Sequence, residues 1–263
     1  MAKTDILKEI ILNKQKKIIL AKQLLPEDEL RTRIQGLSPA RPFIEAIRKP
    51  RQISLIAEIK KASPSQGVIK ENFNHIDIAK VYQEAGVQAI SVLTEEDYFQ
   101  GSLNFINEVK AAAQAPVLRK DFILEPYQVY ESRYFGADAI LLIAGILTQD
   151  ELGELSGLAL SLGLDCLVEV HTEKELKKVL KLKGIPMLGI NNRSLRTFEV
   201  DPKTVEKLYT FIPKDKVVVV ESGISSPQDV LFLKILGVNA ILIGTVFMRA
   251  ADIRGAIDEI MGW

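Results

Sequence analysis

Eight short runs of apolar and β-branched residues punctuate the chain, at residues 53–59, 88–93, 116–119, 138–143, 164–168, 186–190, 217–220 and 239–243. Each is nearly continuous rather than alternating, the pattern of strands buried on both faces in a parallel sheet. Between them lie stretches with helical spacing, at 76–85, 103–113, 149–162, 173–182 and 227–236. Strand and helix in alternation predict right-handed βαβ units. A short repeat marks three of the junctions: Gly86-Val87-Gln88-Ala89-Ile90, Gly136-Ala137-Asp138-Ala139-Ile140 and Gly237-Val238-Asn239-Ala240-Ile241. Glycine in such a place ends a helix in a left-handed cap, and a strand begins two residues on. Eight βα units in about 210 residues predict an α/β fold, a (β/α)8 TIM barrel. The competing open, doubly wound sheet lacks its Gly-rich dinucleotide fingerprint after the first strand. Residues 5–24 have helical periodicity that Pro26 breaks, and residues 42–48 read as a short helix ended by Pro50. Residues 1–48 are therefore expected to form an N-terminal helical extension packed on the barrel. Too short for a core of its own, the extension leaves 1–263 as a single domain.

Polar residues close several of the apolar runs. The first ends in Glu58 and Lys60, two apart and so on one face of a strand. Lys120, Glu169, Asn191 and Glu221 with Ser222 close others. A charge at the end of a buried run is costly unless it is paired or used. In a barrel of this kind the site lies at the C-terminal ends of the strands, so these side chains converge on one mouth. Two lysines and three glutamates there would balance one another and shift each other's protonation, as acid–base catalysis needs. Arg119 and Asp121 flank Lys120 and are expected to point outward. Strand seven runs into Glu221-Ser222-Gly223-Ile224-Ser225-Ser226-Pro227, with Ser226 read as an N-cap and Pro227 as the first helical residue. Strand eight runs into Ile243-Gly244-Thr245-Val246. Glycines and helix starts in these two loops suit a phosphate. In the loop after strand two, Tyr98 and Phe99 either cover a flat apolar substrate or cap the barrel rim.

Composition narrows the partners. Lysine plus arginine and aspartate plus glutamate each number 34, a formal net charge of zero, so no basic field invites nucleic acid. The stretch Lys14-Gln15-Lys16-Lys17 reads as a solvated helix face. No secretory leader is expected, and no apolar stretch approaches the roughly 18 residues of a membrane helix. The single cysteine, Cys166, forms no intrachain disulfide, fits a reducing compartment and is expected to be a buried hydrophobe facing away from the site. These features predict a cytoplasmic protein. With no obvious exposed apolar stripe, a monomer is expected. His75 and His171 lack a metal-ligand spacing. His171 reads as a neighbour of Glu169 with no direct part.

The motifs Ile56-Ala57-Glu58-Ile59-Lys60-Lys61-Ala62-Ser63-Pro64-Ser65, Ser91-Val92-Leu93-Thr94-Glu95 with Tyr98-Phe99-Gln100-Gly101, and Leu118-Arg119-Lys120-Asp121-Phe122 make a specific set. Leu167-Val168-Glu169-Val170-His171, Leu188-Gly189-Ile190-Asn191-Asn192-Arg193-Ser194-Leu195, Glu221-Ser222-Gly223-Ile224 and Leu242-Ile243-Gly244-Thr245 complete it. Over essentially its whole length the chain resembles the indole-3-glycerol-phosphate synthase family of tryptophan biosynthesis. The resemblance implies a carboxy-lyase without cofactor or metal, acting on a small phosphorylated substrate, 1-(2-carboxyphenylamino)-1-deoxyribulose 5-phosphate. Catalytic roles are expected for Glu58, Lys60, Lys120, Glu169, Asn191, Glu221 and Ser222. Lys120, projecting alone from strand three, is the first choice of general acid and Glu169 the general base. Lys60 and Glu58 take supporting acid–base and electrostatic roles, and the sequence does not divide the acid roles between Lys60 and Lys120. The resemblance assigns the phosphate to Gly223, Gly244 and Thr245, with Lys60 or Ser63 assisting. Leu93, Phe99, Leu141, Ile143 and Leu195 match positions around the substrate's aromatic ring, and Arg193 joins the substrate-binding set. The family often has serine where Thr245 stands, a change that keeps the hydroxyl. The competing readings are a Schiff-base aldolase, a phosphoribosyl-anthranilate isomerase, for which Cys166 is badly placed, and a non-catalytic barrel that binds a phosphorylated metabolite.

Overall fold

The structure is a computed structural model that describes residues 6–195 and 197–263. Three helices come first: α1 (Ile6–Leu24), α2 (Glu27–Arg33) and α3 (Phe43–Ile47). The expected start of the first helix at Asp5 lies outside the described residues. Then follow β1 (Ser54–Ile59), a small hairpin of β2 (Ala62–Ser63) and β3 (Gly67–Val68), α4 (His75–Glu84), β4 (Ala89–Leu93), α5 (Asn104–Ala112), β5 (Val117–Lys120) and α6 (Pro126–Tyr134). The chain continues through β6 (Ala139–Ile143), α7 (Gln149–Ser161), β7 (Asp165–Val170), α8 (Glu173–Leu180), β8 (Met187–Asn191) and α9 (Lys203–Tyr209). It ends with β9 (Val217–Glu221), α10 (Pro227–Leu236), β10 (Ala240–Ile243), α11 (Thr245–Arg249) and α12 (Ile253–Met261). The strands β1 and β4–β10 are parallel to their neighbours and close on themselves, β1 pairing with both β4 and β10, which makes the (β/α)8 barrel.

Each expected strand is present within two residues of its expected bounds, and the polar residues that close the runs mostly sit inside the strand ends. The reason is the twofold alternation of a strand. One set of side chains, among them Ile56, Leu118, Leu141, Leu167, Val219 and Leu242, fills the lumen in a packed cluster. The alternate set, among them Leu55, Ile90, Leu142, Val168 and Val220, packs outward against the helices. Both sets are apolar, so the runs are continuous, until the lumen set ends in charge at the mouth. The three repeated glycines cap helices as expected, with φ of +72°, +87° and +98° at Gly86, Gly136 and Gly237.

The N-terminal helices form a strap along one side. At the mouth, Asn13 of α1 donates to the Tyr98 hydroxyl at 3.1 Å, and Lys14 reaches Asp121 at 2.7 Å. Leu30 of α2 packs on Tyr127 and Tyr130 of α6. At the opposite end Phe43 and Ile47 of α3 join the lumen cluster and are fully buried. The Ile44 N–H donates to Asp165 at 3.0 Å, and the Arg41 guanidinium donates to the carbonyls of Lys110, Ala113 and Ala115.

Arg119 and Asp121 leave the lumen as expected, and both are buried; two other sequence expectations meet corrections. Arg119 pairs with Asp121 at 3.0 Å and Glu131 at 2.9 Å beneath α1 and α6. Lys14, read as part of a solvated face, is 7% exposed and completes this network. Large apolar residues are also exposed, Ile19 and Leu20 on α1 and Leu231, Phe232 and Ile235 on α10, where no apolar stripe was anticipated.

Candidate active site

Register brings the strand-end residues together. Glu58 lies beside Ser91, Lys120 beside Leu93, Ile143 beside Glu169, and Asn191 beside Glu221, which itself neighbours Leu242. The mouth they ring is a cavity of about 310 Å³. Every residue to which the sequence reading gave a catalytic or substrate-binding part lines it: Glu58, Lys60, Ser63, Leu93, Phe99, Lys120, Leu141, Ile143, Glu169, Asn191, Arg193, Leu195, Glu221, Ser222, Gly223, Gly244 and Thr245, whereas Tyr98 does not. Phe122 and Phe198 also line it and were not anticipated.

The charges are arranged in two groups. Lys120 Nζ sits between two carboxylates, 2.7 Å from Glu221 and 3.3 Å from Glu169. Burial works against its ammonium, but Glu221, Glu169 and Glu58 together outweigh that and raise its pKa. The carboxylates separate. Burial pushes Glu221 up, and Glu169 adds to the rise against the pull of Lys120, to about 7. Burial would raise Glu169 too, but Lys120 and then His171 hold it well below the usual carboxylate range. Two acids whose surroundings drive them apart are fitted to different proton roles. At the end of β1, between β4 and β10, Lys60 Nζ donates to Glu58 Oε1 at 2.5 Å. The backbone of Gly244 abuts Glu58: a Cβ there would fall 2.3 Å from its Oε1, so only glycine leaves the carboxylate where it is.

The loops after β9 and β10 carry the two glycines expected at the phosphate. Ser222 and Gly223 both have positive φ, +64° and +77°, an uncommon conformation for serine. Asn192 Nδ2 holds the turn by donating to the Ser222 carbonyl at 3.1 Å. Ser226 caps α10 as expected, with Pro227 in its first turn, but Asp229 completes a capping box and takes the N–H groups of Ser225 and Ser226. That carboxylate occupies the start of α10, while Gly223, Gly244 and Thr245 line the mouth. Arg193 is partly engaged elsewhere, its guanidinium donating to the Phe198 carbonyl at 2.9 Å.

On the apolar wall, Phe99 packs near Phe122 at 6.3 Å between centroids. Buried Glu95 fixes its loop by accepting from the N–H groups of Asp97, Tyr98 and Phe99. His75 is remote from the mouth and stacks on Phe105 at 4.0 Å. Cys166 is buried in the outer layer, its thiol pushed up to about 12 by burial. Among the described residues no three His, Cys, Asp or Glu side chains form a metal-holding group, and no helix is long and apolar enough to cross a membrane.

A parallel barrel with paired lysines and carboxylates at the C-terminal mouth, beside an apolar wall, defines the class of (β/α)8-barrel enzymes. Solved structures show the same fold at low identity. A mutant tryptophan synthase α-subunit of Pyrococcus furiosus has a TM-score of 0.61 at 16% identity, over 80% of this chain and 98% of that one. The 3-hexulose-6-phosphate synthase of Salmonella typhimurium has 0.63 at 18%, over 80% and 97%. The sequence model described as Indole-3-glycerol phosphate synthase matches residues 7–260. Proteins of that name from Acetivibrio thermocellus and Caldanaerobacter subterraneus subsp. tengcongensis are 51% and 49% identical. The first match covers 85% of this chain and 86% of the relative, the second 97% of each. The chain belongs to the indole-3-glycerol phosphate synthase family.

Proposed function

We propose that this chain converts 1-(2-carboxyphenylamino)-1-deoxyribulose 5-phosphate into indole-3-glycerol phosphate, CO₂ and water. Family membership supports the reaction. The observation that carries it to residues is Lys120, a cation held between Glu169 and Glu221. In the ring-closing step the aromatic carbon bearing the carboxylate attacks the ketone carbon. Lys120 delivers a proton to the ketone oxygen. The electron pair leaving the aromatic system makes the ring nitrogen cationic, and Glu58 and Glu169 stabilise that cation. Release of CO₂ returns the electron pair to the ring. Dehydration then removes the new hydroxyl with a proton from Lys60, while Glu169 takes the proton from the adjacent carbon. The pair of the C–CO₂ bond returns to the ring, that of the C–H bond forms the new double bond and that of the C–O bond leaves with water, so no outside oxidant or reductant is needed.

Binding follows the two walls. Leu93, Phe99, Leu141, Ile143 and Leu195 hold the aromatic ring, and Ser63, Gly223, Gly244 and Thr245 hold the phosphate, with Asn191, Arg193, Glu221 and Ser222 orienting what lies between. One chain carries every residue this reading uses, which supports a monomer. The buried, unreactive Cys166 suits the cytoplasm. The raised pKa of Lys120 weighs against the Schiff-base alternative, since a nucleophilic lysine needs a lowered one.

The test is indole formation, followed by absorbance, from the substrate named above. The wild type turns over with release of CO₂, and Lys120→Ala loses on the order of 10²-fold or more in kcat. Unchanged turnover in Lys120→Ala overturns the assignment of the acid, and no indole from the wild type overturns the function.

A further inference from the structure

His171 leaves the end of β7 two residues after Glu169 and on the same side. Its Nε2 faces Glu169 Oε1 at 3.2 Å, off the line of a hydrogen bond, and neither atom has a hydrogen-bond partner among the described residues. Its other ring nitrogen, Nδ1, lies 3.4 Å from Glu175 Oε2. Glu175 is itself anchored. Its Oε2 accepts from the His171 backbone N–H at 2.7 Å, and its own N–H donates to the Thr172 hydroxyl that caps α8. The imidazole is 11% exposed and Glu169 2%.

A ring between two carboxylates meets both with donors only as the imidazolium, since a neutral ring has one donor and one acceptor. Burial disfavours the charge, but Glu169 and Glu175 outweigh it and raise the histidine to about 10. Glu169 thus has a basic nitrogen facing each oxygen, Lys120 at Oε2 and His171 at Oε1. We propose that His171, clamped by Glu175, is a positioning residue that holds the Glu169 carboxylate ionised and correctly turned toward the substrate. This rests on the reading of Glu169 as the base and adds two residues to it.

The charged groups facing His171 are Glu169 from β7 and Glu175 from α8. Behind Glu169 stand Lys120 of β5 and Glu221 of β9. On α8, Lys178 is committed to the carbonyls of Ala144 and Leu147 at 2.5 and 2.6 Å. Removing the imidazolium leaves Glu169 with one cation fewer, so its pKa rises and the acid limb of activity moves to higher pH.

The experiment has two arms. In the first, ¹⁵N NMR of the unliganded wild type at pH 8 reads the His171 ring directly. Two protonated nitrogens are expected, and a neutral tautomer overturns the proposal, with no dependence on activity or on any variant. In the second, pH–rate profiles are measured for His171→Gln, Glu175→Gln and His171→Lys. In His171→Gln, kcat falls by about tenfold or more with KM within about twofold, the usual cost of losing an orienting partner. The acid limb of kcat rises by about one pH unit. Glu175→Gln moves the same way by less, and His171→Lys, which keeps a cation, restores part of the limb. An acid limb that stays in place in His171→Gln overturns the proposal. Glu169→Gln is run alongside: full turnover there defeats the assignment of the base itself, a failure distinct from that of His171.

Discussion

At the scale of single residues, the structure divides work that the sequence could only pool. Strand-end position and same-face spacing identify Glu58, Lys60, Lys120, Glu169 and Glu221 as a group. They carry no information on which carboxylate is ionised, because that depends on neighbours from other strands. Lys120 lies nearer Glu221 than Glu169, yet Glu169 is the one driven low, because it also faces His171. His171 escapes a sequence reading for the same reason: its two partners are a strand end and a helix start, and a spacing rule for metal ligands does not look for them. Glu221, at about 7, makes a stability prediction with a definite sign. Its pKa is raised above the unfolded value, so between about pH 4.5 and 7 the folded protein holds a proton that the unfolded chain has released. Glu221's contribution is therefore full below about pH 4.5 and is lost as pH rises through about 7. Thermal melts should show Tm falling over this window in the wild type. Glu221→Gln, which cannot ionise, should fall by a few degrees less while losing activity. Parallel slopes for the two proteins count against a raised Glu221.

At the scale of elements, the strands were legible and some helices were not. A strand between a filled lumen and a ring of helices is apolar on both faces, and a run of that kind survives in any sequence reading. Helix α6 has no such signature. It lies between the barrel and the N-terminal strap, and seven of its nine residues, including Gln128, Glu131, Ser132 and Arg133, are buried, so apolar and polar positions do not alternate with a helical period. The same burial hides the network of Lys14, Asp121, Arg119 and Glu131, since composition rules assign charges to water. Within that network Asp121 is held well below its usual range, burial being overcome by Lys14 and Arg119. Removing one member of a buried ion pair costs about 3–5 kcal/mol, because the partner is left charged and unsolvated. Lys14→Met should therefore lower the unfolding free energy by roughly 3 kcal/mol. Three residues on, Lys17 pairs with Glu96 and Asp97 in the open, and Lys17→Met should cost under about 1 kcal/mol. Denaturant titration of the two variants checks the contrast. Equal losses refute the idea that α1 is fastened through its buried lysine.

At the scale of the whole molecule, the barrel separates what stabilises from what reacts. The lumen is one packed column whose residues near the strand starts meet Phe43 and Ile47 of α3, while those at the strand ends become the charged mouth. The extension touches both ends, α3 plugging the floor and α1 bracing the rim at Tyr98 and Asp121. The two ends carry different physics. The floor is held by apolar packing, whereas the mouth depends on charges held at hydrogen-bond distance. Truncating the plug should consequently show in stability and leave chemistry alone. Phe43 is fully buried, and Phe43→Ala removes a ring from a column that cannot collapse, because each strand around it is held by hydrogen bonds to two others. The expected loss is about 3–5 kcal/mol of unfolding free energy. At about 25 °C, where the variant is still folded, kcat and KM should stay within about twofold of wild type, because Phe43 does not line the mouth. Denaturant unfolding and steady-state assays on the same preparation measure the two quantities together. A tenfold fall in kcat with intact secondary structure would mean that the floor sets the positions of the strand ends, and the division between a stabilising end and a reactive end would have to be abandoned for this barrel.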